Sequence, residues 1–178
     1  MLNKVVLIIV IAIGAVAAAP AARAQELGLT PNHVVSLWTD TNDALVVVAG
    51  VISDDEAWVD RLAATTARSF SGKAPADVLE RVAAFRDKLD RLRRSGGLEP
   101  TQRYDNGGGA VTPSVVFLNS GHVLDAVVGW IIENTGREQL VSGFYTRHGF
   151  SGKTPSDAFA MVDLANRRID LILEKASG

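Results

Sequence analysis

Residues 149–172 read GFSGKTPSDAFAMVDLANRRIDLI, and residues 69–92 read SFSGKAPADVLERVAAFRDKLDRL. At a constant offset of 80, Phe70, Ser71, Gly72, Lys73, Pro75, Asp77, Val82 and Asp90 recur as Phe150, Ser151, Gly152, Lys153, Pro155, Asp157, Val162 and Asp170. Hydrophobic positions correspond too, Leu89 with Ile169 and Leu92 with Ile172. Self-similarity at a fixed spacing marks a repeated structural unit. Upstream the match continues at an offset of 82, where Thr30-Pro31 answers Thr112-Pro113, Val34 answers Val116, and Asp43-Ala44 answers Asp125-Ala126. Ser53-Asp54-Asp55-Glu56 answers Thr135-Gly136-Arg137-Glu138. Both fit S/T-x-x-E, the capping box in which a hydroxyl and a glutamate each satisfy an orphan backbone N–H.

The pattern predicts an internal duplication, with repeats over about 30–95 and 112–175. Between them lies SGGLEPTQRYDNGGGA, residues 95–110, rich in glycine and without hydrophobic period. It reads as a linker or a mobile loop. Its Asp105-Asn106-Gly107 lacks the alternating oxygen ligands and distal glutamate of a calcium loop, so a turn is expected there.

Helix starts are marked by Thr30-Pro31, Ala74-Pro75, Thr112-Pro113 and Thr154-Pro155. Threonine caps a helix well, and proline suits the first helical position because its missing N–H would be unpaired there anyway. After each start, apolar residues step by three and four, as in Val34, Trp38, Thr41, Leu45, Val48 and Ile52. The same stripe follows Pro75 at Val78, Val82, Phe85, Leu89 and Leu92, and Pro155 at Ala158, Val162, Ala165, Ile169 and Ile172. Long helices are predicted over about 31–51, 75–94, 113–133 and 155–174, with short ones over about 54–67 and 136–146. The expected fold is therefore all-α: one domain over 25–178, a helical bundle of four long helices and two short ones, its two repeats related by an approximate two-fold.

The first residues, MLNKVVLIIVIAIGAVAAAPAARAQ, combine Lys4, an apolar run over 5–19 and the small-residue site Ala22-Arg23-Ala24. This describes a signal peptide over 1–24, cleaved after Ala24, and a periplasmic or secreted mature protein. Lys4 and Arg23 are the only charges in that leader, so the remainder is more acidic than the net −2 of the whole chain. Nothing here forms a basic footprint for nucleic acid. Cysteine is absent, which excludes disulfides and thiolate metal sites. No later segment has an uninterrupted apolar run long enough for a membrane span.

Gly152-Lys153-Thr154 resembles the tail of a nucleotide-binding P-loop, but the required glycine five residues earlier is Arg147. The twin segment has Ala74 in place of the threonine and Ala67 at the first glycine position. A weaker anion-binding reading remains, because each loop sets a basic residue before a lysine at a helix start: Arg68 with Lys73, and His148 with Lys153. In its place, the phenylalanines pack down, the glycines turn the chain and the lysines stay solvated. Trp38 and Trp130 could line a pocket between the repeats. His33, His122 and His148 have no second histidine at a ligand spacing, and His122 with Met161 is too sparse a pair to imply a haem, so no metal or cofactor is expected. Asp43 and Asp125 fall on the outer faces of their helices, and no nucleophile–base–acid set stands out. The expectation is a non-enzymatic binding or accessory protein of the cell envelope acting through a protein partner, or else a small-ligand carrier or sensor with a pocket between the repeats, an anionic ligand included.

Overall fold

The proline-marked starts are where the long helices begin. The computed structural model describes residues 27–146 and 148–178, so the predicted leader over 1–24 lies outside the described residues. Five α-helices appear: α1 (Pro31–Ile52), α2 (Glu56–Ala63), α3 (Pro75–Ser95), α4 (Pro113–Thr135) and α5 (Pro155–Ser177). A 3₁₀ segment, Glu138–Val141, follows α4, and no strand occurs among the described residues. The protein is all-helical.

Local chemistry explains the starts. Thr154 and Asp157 cap α5 reciprocally, the Thr154 N–H donating to Asp157 Oδ2 at 2.8 Å and the Asp157 N–H to Thr154 Oγ1 at 3.3 Å. Ala74 has no side-chain oxygen, so α3 keeps half of that exchange, its Ala74 N–H donating to Asp77 Oδ2 at 2.7 Å. The short elements differ from expectation. Helix α2 starts at Glu56 because Asp55, and not Ser53, is its cap, accepting from the Trp58 N–H at 3.0 Å. Thr135 belongs to α4, and Gly136 ends that helix in the left-handed conformation (φ 62°), leaving one 3₁₀ turn where a helix over 136–146 was expected.

Three predicted stripes become the core. Trp38, Leu45, Val82, Phe85, Ile169 and Ile172 are all essentially inaccessible. Each such burial contributes about 1.5–3 kcal/mol. Trp38 and Phe85 meet edge to face with ring centroids 5.2 Å apart.

The helices pack in a ring, α1 against α4 and α5, and α3 against the same two. Their first turns converge, with Pro31, Pro75, Pro113 and Pro155 around one small apolar gap. Contacts then stay level along the helices. Trp38 Nε1 donates to Ser120 Oγ at 2.9 Å, Lys88 Nζ pairs with Asp170 at 2.7 Å, and Arg93 reaches the Ala126 carbonyl at 2.6 Å. At the far end Val47 and Val51 share a cleft with Asn134 and Thr135. All four long helices therefore run in the same direction. A parallel neighbour cannot be reached by a tight turn, since about 20 helical residues span about 30 Å that the chain must retrace.

Three connections do this. The segment 64–74 returns along α5, where Arg168 and Arg167 bind its Thr65 and Thr66 carbonyls. Segment 142–154 returns along α1. The glycine-rich loop is tethered as well, the Thr101 N–H donating to Asp90 at 2.8 Å and Tyr104 exchanging two bonds with Asn119.

Direction also corrects the expected two-fold. The segments matched in sequence, α1 with α4 and α3 with α5, are neighbours in the ring, whereas a two-fold along parallel helices would place them diagonally. Helices α1 and α4, although neither is an uninterrupted apolar run, are long and apolar enough to meet the length and hydropathy of a membrane span. In this fold 61% of each such window is buried.

Candidate functional site

Both returning segments end alike. Gly72 and Gly152 adopt φ of 69° and 68°, a conformation glycine takes freely, and turn the chain into the next helix. The following lysine pins that turn through its main chain. The Lys73 N–H donates to Ser156 Oγ at 3.1 Å, and the Lys153 N–H to Asn32 Oδ1 at 2.8 Å. Ser156 and Asn32 each stand at the second position of the neighbouring helix, α5 and α1 respectively.

Beneath the second strap, 142–154, opens a cleft of about 700 Å³ between α1 and α4. Leu37, Phe117 and Leu124 form its apolar wall, and Phe150 comes from the strap. Its polar edge is made by Ser36 and Asp40, one turn apart on α1. Asp40 is only 4% exposed, and His148 Nε2 lies 2.8 Å from its Oδ1. Ser36 Oγ accepts from the His148 main-chain N–H at 2.9 Å and donates to the Thr146 carbonyl at 3.4 Å. Serine, histidine and aspartate thus meet, but not as a hydrolytic triad. The hydroxyl is spent on main-chain groups and the imidazole faces the carboxylate, so the trio binds the strap and does not activate an oxygen.

Tyr145 holds the other side of the strap. Its hydroxyl donates to Asp125 on α4 at 2.6 Å. Burial first, and then that hydrogen bond, raises the phenol above its ordinary value. With φ of 70°, Tyr145 is the one non-glycine residue in the left-handed region among the described residues. Such strain costs about 1–3 kcal/mol and persists where surrounding contacts enforce it.

A smaller cleft of about 340 Å³ lies under the first strap and beside the start of α5. Positions correspond across the two, Arg68 with His148, Phe70 with Phe150, Ser156 with Asn32, and Val35 with Phe117. Their chemistry does not. The smaller cleft has Arg68 and Lys153 as cations and Asp157 as its acid. Hydrogen bonds from the Thr154 side chain and then its backbone hold the Asp157 carboxyl below its ordinary value.

The residues singled out from sequence therefore scatter. His148 takes part in the larger cleft, while Arg68 and Lys153 line the smaller. Lys73 leaves both, its Nζ standing 4.6 Å from the centre of the Phe159 ring. Trp38 and Trp130 line neither. Trp38 is fully buried on Phe85 and Ser120, and Trp130 is 5% exposed within the core. Asp40, Ser36 and Tyr145 were missed. Asp40 carried one usable signal, a carboxylate off the Trp38 stripe yet on the same side of the helix as Ala44, Val47 and Val51. Among the described residues no three of the His, Asp and Glu side chains gather as a metal site would need.

No protein-family model matches this sequence, and no curated protein or solved structure matches it either.

Proposed function

We propose that this chain is a non-enzymatic, periplasmic or secreted binding protein that takes a small amphipathic ligand into the cleft beneath the 142–154 strap. One observation carries the reading. A cleft of about 700 Å³ joins an apolar wall to the buried Asp40 and its half-buried partner His148, and pockets of that size with few convergent polar groups are where small ligands bind. The body of the protein is read as a four-helix bundle with two short elements, built by duplication of a helix–strap–helix unit. Supporting the duplication, the two Phe-Ser-Gly-Lys turns share a glycine conformation and a main-chain pin to the neighbouring helix. Export rests on the leader over 1–24, removed before the protein acts.

The test is to express the protein with its leader, recover it from the periplasm, denature it and identify the small molecules released. Leu37→Trp fills the cleft, so a specific molecule should accompany the wild type and be lost from the variant. If neither form carries one, and crosslinking instead captures the same envelope protein with both, the cleft is not the working surface and the partner-binding reading replaces this one.

A further inference from the structure

We infer that the smaller cleft is a second binding site, formed between the two straps, for a small organic anion with a carboxylate or phosphate head and a short apolar tail. Sequence spacing pairs Arg68 with Lys73, and His148 with Lys153, each within its own loop. The parallel packing exchanges these partners. It brings the start of α5, and Lys153 with it, beside the first strap, so Arg68 and Lys153 from opposite halves of the chain line one cleft. Lys73 is turned onto Phe159, and His148 is engaged by Asp40.

Neither cation in this cleft is held in an ion pair, although the Lys153 ammonium acts on the Asp157 carboxylate through space. Among the described residues, no ion pair joins Arg68 or Lys153 to a carboxylate, and the Lys153 ammonium has the Phe150 ring as its neighbour, 5.4 Å from the centroid. Ser156 Oγ accepts the Lys73 N–H, which leaves its hydroxyl proton to donate into the cleft. The cleft also lies at the positive end of the α5 dipole. A guanidinium with an ammonium beside it suits an oxyanion head, bound in a fork by arginine and as a point charge by lysine. Opposing them is Asp157, whose Oδ2 is occupied by the Thr154 N–H and hydroxyl. Two cations and one acid leave a single net positive charge, which sets the preference for a ligand of low charge. Val35, Phe70 and Met161 supply apolar wall for a short tail.

The experiment is an NMR amide titration at low ionic strength, run separately with hexanoate, hexyl phosphate and inorganic phosphate. With at least one of the two tailed anions, amides of residues 67–70 and 153–157 should shift saturably. Arg68→Ala and Lys153→Ala should each weaken that binding at least tenfold, and Lys73→Ala should leave it unchanged. The tighter of the two tailed anions identifies the head, and inorganic phosphate should bind more weakly than either. The inference is overturned by the absence of a saturable shift with both tailed anions, by equal weakening in the Lys73 variant, or by inorganic phosphate binding as tightly as they do. Unchanged amide positions in the rest of the spectrum show that each variant is folded. Arg68 and Lys73 do not line the large cleft, so their variants leave it intact, whereas Lys153→Ala removes the ammonium over Phe150, a residue of its lining; the fate of the large cleft is therefore decided by the Leu37→Trp experiment.

Discussion

The two straps start from one plan and are held down by different means. Along 64–74 the helix does the holding. Arg168, 6% exposed, donates to the Thr65 carbonyl of the strap at 3.1 Å and also to the Asn42 carbonyl of α1 and the Ala63 carbonyl at the end of α2, while Arg167 donates to the Thr66 carbonyl at 2.8 Å. The strap offers main-chain carbonyls to these arginines, and nearer its end the Phe70 and Lys73 side chains rest on the Phe159 ring of α5. Along 142–154 the strap itself reaches out, with Tyr145 to Asp125 and His148 to Asp40. Its anchoring depends on its own side chains, and those side chains edge the larger cleft. The polar anchoring of the first strap comes chiefly from helix arginines on its main chain, while that of the second adds its own Tyr145 and His148, residues that would meet a ligand.

The largest expected effect tests the first fastening. Arg168→Ala strands three carbonyls at once, and about 3 kcal/mol of stability should be lost in denaturant unfolding. A loss below about 1 kcal/mol would mean that water replaces the guanidinium, and the contrast between the straps would collapse. Next comes His148→Ala, which leaves Asp40 buried without its partner and should cost about 1–2 kcal/mol. Hydrogen exchange should then quicken over 142–150 while 64–74 stays protected. Quickening in both would show that the straps are not independently held.

Gly72→Ala and Gly152→Ala probe what the straps share. Space for a methyl group exists at both, so the cost is the left-handed backbone alone, about 1 kcal/mol each and equal within error. Unequal costs would break the structural equivalence of the two turns. The smallest effect belongs to the caps. Thr154→Ala removes the hydroxyl that Ala74 already lacks and should cost about 0.5–1 kcal/mol. The folded Asp157 carboxyl lies below its ordinary value of 3.8, so its contribution is complete above that pH and is lost as the solution is acidified through the lower, folded value. Thr154→Ala should therefore differ most from the wild type near neutrality and least in strong acid, which melting curves across that range would reveal.

How far the sequence could be read follows from which interactions are local. Caps, prolines and stripes act within one or two turns, so Thr154 with Asp157, and Val82 with Phe85 and Leu89, were visible in the chain itself. Helix direction is not local. The apolar period of α4 is the same whichever way the helix points, so nothing in it predicted that Arg68 would share a cleft with Lys153 or that Asp40 would meet His148, 108 residues later. One cue lay in the connections, each long enough to retrace a helix where a two-way bundle would need only a few residues. Even the Gly-Lys-Thr that resembled a phosphate loop found its place this way, as the hinge and cap of a returning strap.

Parallel helices have a further consequence, in the order of assembly. No two neighbours in the ring are joined by a short turn, and α1 packs on α4 and α5, not on α3, the next long helix after it. Contacts are therefore remote in sequence, and a helical protein of this design gives up the quick local pairing that lets ordinary bundles form in microseconds to milliseconds. As the chain lengthens from its N-terminus, α1 has no long partner until α4 exists, and the ring stays open until α5 arrives.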